Sequence, residues 1–371
     1  MVSAIKVIIH IMITRKGLNQ VLKRIGVTRI NSISKYDDLP LYVYQACRPN
    51  SIHLTVDSGK GKTDDDAFKA CAVEAIERYT AENIINKKTF VESSSEDLFV
   101  PNGKDFSTDA STIEIESYAG EELTCNKKVY VPTSYVDYKP PRGSLSSCAF
   151  TGTTGLGAHT TIRKAVCSGL VELIERDAIA KGRFEKVSLN KIDKSLSWLE
   201  KLLKERSARY AVLRYEANWP IEVVQIICDD PYVTGGMTAM GVGEDLMSAI
   251  EDAALEAMQT WLMRLAASRD DWAYSRVMDK SLFDQFINSS LTIKTKIPNS
   301  NSKTKQGKYS NELYESLINY ACLNSQRVVV VPLKSNKRIP EITVVKVFLE
   351  HINLLRQGPM ITGIPYMPSH P

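Results

Sequence analysis

The chain has 371 residues, 43% hydrophobic and 24% charged, with a formal net charge of +4. That length supports one large or two medium domains with a substantial core, and the composition is that of a soluble globular protein. So small an excess of positive charge gives no case for nucleic acid, and seven cysteines without a C-x-x-C pair exclude a zinc site and a disulfide framework, so a reducing cytoplasm is the expected compartment.

In chain order, VIIHIMI (7–13) reads as a buried strand. Seven residues fall far short of the roughly 20 a membrane span needs, and no small-residue cleavage site follows, so neither a membrane anchor nor a signal peptide is expected. SIHLTV (51–56) is the next strand candidate, followed by SGKGKT (58–63), which has the look of a phosphate-binding turn. The P-loop pattern requires a glycine five residues before the glycine of the Gly-Lys pair. Counting back from Gly61 gives Val56, so the P-loop reading fails and an exposed turn remains the plain alternative.

DDDAFKACAVEAIERYTAENI (64–84) is a helix with three aspartates where the helix dipole favours them. The same plan of strand, Gly-x-Gly, polar start and apolar helix recurs at 149–180 and 238–265. Gly59, Gly155 and Gly241 precede Glu74, Glu172 and Glu256 by 15, 17 and 15 residues. Three such units in order point to an internal repeat. Glu74 and Glu77 share a helical face, as do Glu172 and Glu175, while Glu256 is followed at the same spacing by Gln259. These helices are apolar nearly all round, and carboxylates on buried helices are expensive without cations. Arg78 and Arg176 neutralise two of the five; Glu–Arg clamps between helices are the structural alternative, and Mg²⁺ shared with substrate phosphates accounts for the remainder. KTKIPNSNSKTKQGK (294–308), with five lysines and no aromatic residue, reads as a solvated loop. The five histidines show no metal spacing, and no Ser-His-Asp or G-x-S-x-G pattern suggests a hydrolase.

Together, Gly59-Lys60-Gly61 before E-A-I-E-R, T-G-L-G-A before E-L-I-E-R-D, and A-A-L-E-A-M-Q resemble the YcaO family over roughly residues 40 to 371. The stretch IGVTRINSISKYDDLPLYVYQACRP (25–49) is similar to the entry segment of stand-alone members, without a fused E1-like domain. The resemblance implies a single α/β domain at 41–371 after an extension at 1–40, with a flexible polar loop about 294–309 and a proline-rich tail at 358–371. It implies strands in a central layer, helices outside, and a site where the three repeat helices converge.

By position, the resemblance implies Mg²⁺ ligands at Glu74, Glu77, Glu172, Glu175 and Glu256. ATP would be bound by Gly59, Lys60, Gly61, Cys71, Glu74, Arg78, Gly155, Glu256 and Gln259, with catalytic roles for Lys60, Arg78, Arg176 and Pro371. Cys71 stands where the family usually has Ser, and Thr153-Thr154-Gly155 where it has Ser-Asn-Gly. Pro365, Pro368 and Pro371 are three apart, which in a polyproline II helix lines one face.

The implied reaction is ATP-dependent activation of a peptide-bond oxygen. A nucleophile adds to the backbone carbonyl carbon, the oxyanion attacks the γ-phosphate, and phosphate leaves with the former amide oxygen. A Cys, Ser or Thr of the substrate would give an azoline in a ribosomally made peptide; sulfide would give a thioamide. A scaffold without activity is the third reading. The implied partners are a precursor peptide or protein and a separate E1-like or TfuA-type protein, not nucleic acid or membrane, with a homodimer left open.

Overall fold

The computed structural model describes residues 14–52, 54–101, 113–138, 152–188, 197–205, 209–229, 237–266, 309–337, 339 and 342–352. The strand expected at 7–13, the lysine-rich stretch at 294–308 and the tail with Pro371 lie outside the described residues. The first half contains α1 (Arg15–Arg24), β1 (Arg29–Ser32), β2 (Tyr42–Cys47), β3 (Val56–Gly61), α2 (Asp64–Glu82), β4 (Lys88–Glu92), β5 (Glu114–Glu122), β6 (Lys127–Pro132) and the short α3 (Thr133–Val136). Then follow β7 (Leu156–His159), α4 (Ile162–Lys181), β8 (Phe184–Val187), α5 (Ser197–Glu205), β9 (Arg209–Tyr215), β10 (Glu222–Asp229), β11 (Met237–Gly243), α6 (Leu246–Leu265), α7 (Asn311–Leu323), β12 (Val328–Leu333) and β13 (Thr343–Leu349). No described helix is long and apolar enough to cross a membrane.

The strands make three sheets instead of one central layer. Their orders are β1-β2-β3, β11-β10-β9-β8 and β4-β5-β12-β13-β7, with β6 beside β5. Neighbouring strands within them run antiparallel. Each sheet needs apolar cover, and three core clusters supply it, built around α4, α2 and α6, each drawing residues from two of the sheets. The described residues before 41 belong to this plan. Leu18, Val21 and Leu22 of α1 are buried in the same cluster as Phe68 of α2, and β1 pairs with β2. The boundary placed at 40/41 therefore falls inside a continuous sheet and core.

Caps fix where the three long helices start. Thr63, Thr161 and Asp245 accept hydrogen bonds from the backbone N–H groups of Asp66, Lys164 and Ser248, which the first turn would otherwise leave unpaired. Each helix packs on the strand before it and also on a strand of another unit: α2 on β3 and β7, α4 on β7 and β11, α6 on β11 and β3. These contacts close a ring. Residues some 200 positions apart in sequence are thereby brought face to face.

Candidate active site

The segment Gly59-Lys60-Gly61 is strand, not turn. It forms the end of β3, paired on one side with β2 through Tyr44, Val43 and Tyr42, and as the edge strand of its sheet it has no described strand on the other side. Of the strand expected at SIHLTV only Val56 belongs to β3, which runs five residues later in the chain. Asp57, Gly59 and Gly61 face α2. A Cβ on Gly59 would sit 2.0 Å from the Cys71 backbone nitrogen, and one on Gly61 would sit 2.4 Å from that of Ala67. Glycine is required there because helix backbone rests directly on strand backbone. Ser58 and Lys60 face the other way, toward α6.

The same close approach occurs twice more. A Cβ on Gly157 would meet the Ala165 carbonyl at 2.0 Å, and one on Gly241 the Ala253 nitrogen at 2.1 Å. Gly155 differs: it precedes β7 in a left-handed conformation, φ +83°, and its N–H donates to the Glu172 carboxylate at 3.1 Å.

On this frame the expected residues meet in pairs. The Lys60 ammonium donates to the Glu256 carboxylate and lies 3.8 Å from Asp252. The Gln259 side-chain amide donates to Ser58 Oγ at 2.9 Å. Arg78 binds Glu74 at 2.6 Å and approaches Asp57 at 3.6 Å. Arg176 lies 3.7 Å from both Glu172 and Glu175. Cys71 is fully buried beneath β3, with its Sγ 3.7 Å from the Asp57 carbonyl oxygen.

Two residues that sequence reasoning missed complete the set. Asp57, buried in β3, accepts from Arg48 at 2.7 Å, and Arg48 also donates to Glu82 at 2.8 Å. Lys346, 4% exposed in β13, donates its ammonium to the Gly152 carbonyl at 2.5 Å. A lysine in the middle of TVVKVFL was a visible signal, since an unpaired lysine is seldom buried.

Electrostatics tie the pairs into one site. Burial raises Glu74 above the ordinary carboxylate range; Arg78 opposes this, while Asp57, Glu256 and Glu172 add repulsion. Glu77 is pushed well above that range by burial and by Glu74 and Glu172. Burial likewise brings Lys346 down to about 8, against the pull of Glu172 and Glu77. For Arg176, burial disfavours the cation, but Glu175, Glu172 and Glu256 outweigh it and raise its pKa.

Among the described residues no group of three or more His, Cys, Asp or Glu is set to hold a metal ion as it stands, because internal cations already hold several of the carboxylates. The donor set nonetheless suits Mg²⁺ with a polyphosphate. It offers hard carboxylate oxygens in excess of the cations beside them, with Lys60 available to share itself between Glu256 and an anion. Arg176 Nε and Asp57 Oδ1 are buried without a hydrogen-bond partner, a sign that further polar contacts can be accommodated here.

Comparison with known proteins identifies relatives of this chain. A family model described as YcaO cyclodehydratase, ATP- and Mg²⁺-binding, matches residues 58–351. An uncharacterized protein of Methanothermobacter thermautotrophicus is 27% identical over 292 residues, 73% of this chain and 75% of its own length. A Rhizobium leguminosarum bv. trifolii protein, described as uncharacterized and in the tfuA 3′ region, is 31% identical over 173 residues, 43% of this chain and 39% of its own. The fold matches the structure of YcaO from Methanopyrus kandleri bound with AMPPCP and Mg²⁺, with TM-score 0.69 at 21% identity over 88% of this chain and 86% of that one.

Proposed function

Because the chain belongs to the YcaO family, we propose that it is an ATP- and Mg²⁺-dependent enzyme that forms azolines from Cys, Ser or Thr in a ribosomally made peptide. The observation that carries this reading is the meeting of Lys60 with Glu256 across β3 and α6, next to the carboxylates of α2 and α4. Bound ATP would supply the phosphoryl group that turns the former amide oxygen into a leaving group.

The chain's own residues have distinct tasks in this reading. Glu74, Glu77, Glu172, Glu175 and Glu256 would hold Mg²⁺. Lys60, released from Glu256, would face the phosphates. Arg78 and Arg176 orient the carboxylates of Glu74 and Glu172, and Gly155 fixes Glu172 through its N–H. Gln259, through Ser58, keeps α6 in register with β3. Such preorganised charge stabilises phosphoryl transfer mainly by position and electrostatics.

A second reading, thioamide formation with a TfuA-type partner, is favoured by one observation, the relative from a tfuA region. Two measurements test the proposal. Glu74→Gln, Glu172→Gln and Glu256→Gln should each abolish Mg-ATP binding by calorimetry with the fold retained; three variants that bind like the parent would remove the site assignment. The chain with its genomic partner, the neighbouring precursor, ATP and Mg²⁺ should lower the peptide mass by about 18 Da. A gain of about 16 Da only when sulfide is present would establish the thioamide instead, these being the outcomes an activated amide oxygen allows. No mass change with any partner would favour a scaffold.

A further inference from the structure

At the far end of the six-stranded sheet, β4 is an edge strand. It pairs with β5 on one side, and no described strand pairs its other side. Edge strands are usually guarded by projecting lysine or proline. The lysine of β4 does not project: Lys88 Nζ is drawn to Glu116 at 3.0 Å, toward Asp137 at 3.5 Å and over the Tyr118 ring. A large apolar side chain stands exposed on this edge strand instead, Phe90 being 63% accessible.

The five residues Lys88-Thr89-Phe90-Val91-Glu92 are complementary to themselves when read in opposite directions. In an antiparallel pair centred on Phe90, Phe90 meets its own copy, Lys88 meets Glu92, and Thr89 meets Val91. Lys88, Phe90 and Glu92 share one face of the strand, so both charge pairs and the aromatic pair fall on the same side. Within the chain, Glu92 is directly opposite Glu114, and both are exposed. Like charges so placed repel, and a lysine from a second strand relieves them. The ammonium of Lys88 has three donors and can serve Glu116 and a second carboxylate together.

We propose that β4 is the contact of a two-fold symmetric homodimer, in which the six-stranded sheets of two copies join edge to edge through Lys88–Glu92 pairs flanking paired Phe90 side chains. Closed two-fold symmetry requires one surface to be its own complement, and β4 meets that requirement. Five residues of strand form a small contact, so the dimer dissociates on dilution and is not obligate.

The test is sedimentation of the full chain over a concentration series. Phe90→Lys puts like charges across the axis, and Glu92→Lys sets Lys88 against a second lysine; each should raise the dimer dissociation constant at least about tenfold. Glu92→Lys also removes the repulsion with Glu114, so it should fold as well as the parent. Lys88→Glu should likewise be monomeric, yet an equal mixture of Lys88→Glu and Glu92→Lys should dimerise, because the two carry complementary strands. Mg-ATP binding should be unchanged throughout. A parent that is monomeric at every concentration overturns the proposal, whether or not β4 then binds a different protein. A dimer that Phe90→Lys and Glu92→Lys leave intact overturns it as well.

Discussion

The Gln259 side-chain amide donates to Ser58 Oγ at 2.9 Å, across 201 residues of sequence. This bond joins the last of the three long helices to the first Gly-rich strand, and Gln259 is 7% exposed while Ser58 is half-buried, so the amide cannot readily exchange it for water. Gln259→Met should cost about 1 kcal/mol in denaturant unfolding by removing this hydrogen bond. A cycle with Ser58→Ala should give a coupling of about 1 kcal/mol, and strict additivity would mean that the two side chains do not act together.

Glu77 carries a cost that depends on pH. Its folded-state pKa lies well above the ordinary 4.5, through burial and through repulsion from Glu74 and Glu172. The sign follows: below pH 4.5 the group is protonated folded or unfolded, and the cost is absent. As pH climbs above that value, the unfolded chain ionises first and stability falls. Without Mg²⁺, Glu77→Gln should therefore melt higher than the parent at neutral pH and equal to it in acid. A lower melting temperature at pH 7 would contradict this account.

Lys346 behaves in the opposite range. Burial holds its pKa at about 8, below the ordinary 10.5. The cost of carrying its charge is full below pH 8 and fades as pH rises toward 10.5, so this group makes the parent more stable across that window. The difference in melting temperature between the parent and Lys346→Met should shift in the parent's favour from pH 8 to pH 10.5. A difference independent of pH would remove Lys346 from the set of buried charges.

Glycine substitutions should separate close packing from backbone conformation. Gly59→Ala forces a methyl to within 2.0 Å of the Cys71 nitrogen, so α2 must lift from β3. The expected loss is about 3 kcal/mol. Gly26 is left-handed, φ +88°, with nothing within 4 Å of its added Cβ, so Gly26→Ala should cost only about 1 kcal/mol of backbone strain. Equal losses in thermal unfolding would show that the strand–helix contact does not set the stability.

What the sequence determined by itself is local. Glu74 with Glu77, and Glu172 with Glu175, lie three apart, and helical geometry places each pair on one face whatever surrounds it. Thr63, Thr161 and Asp245 mark helix starts through bonds made within one turn. Because such relations rest on near neighbours, the helices and their carboxylates were legible, and with them the family resemblance. Gly59 and Gly61 misled for the opposite reason: glycine has a turn preference locally, and only the approach of α2 makes it the residue a strand needs there. Tertiary structure alone decided that Lys60 meets Glu256 and that Lys346 stands among the glutamates. These partners lie far apart in the chain, and their meeting depends on the ring of contacts among α2, α4 and α6 and the strands beneath them, a relation that no spacing along the chain encodes.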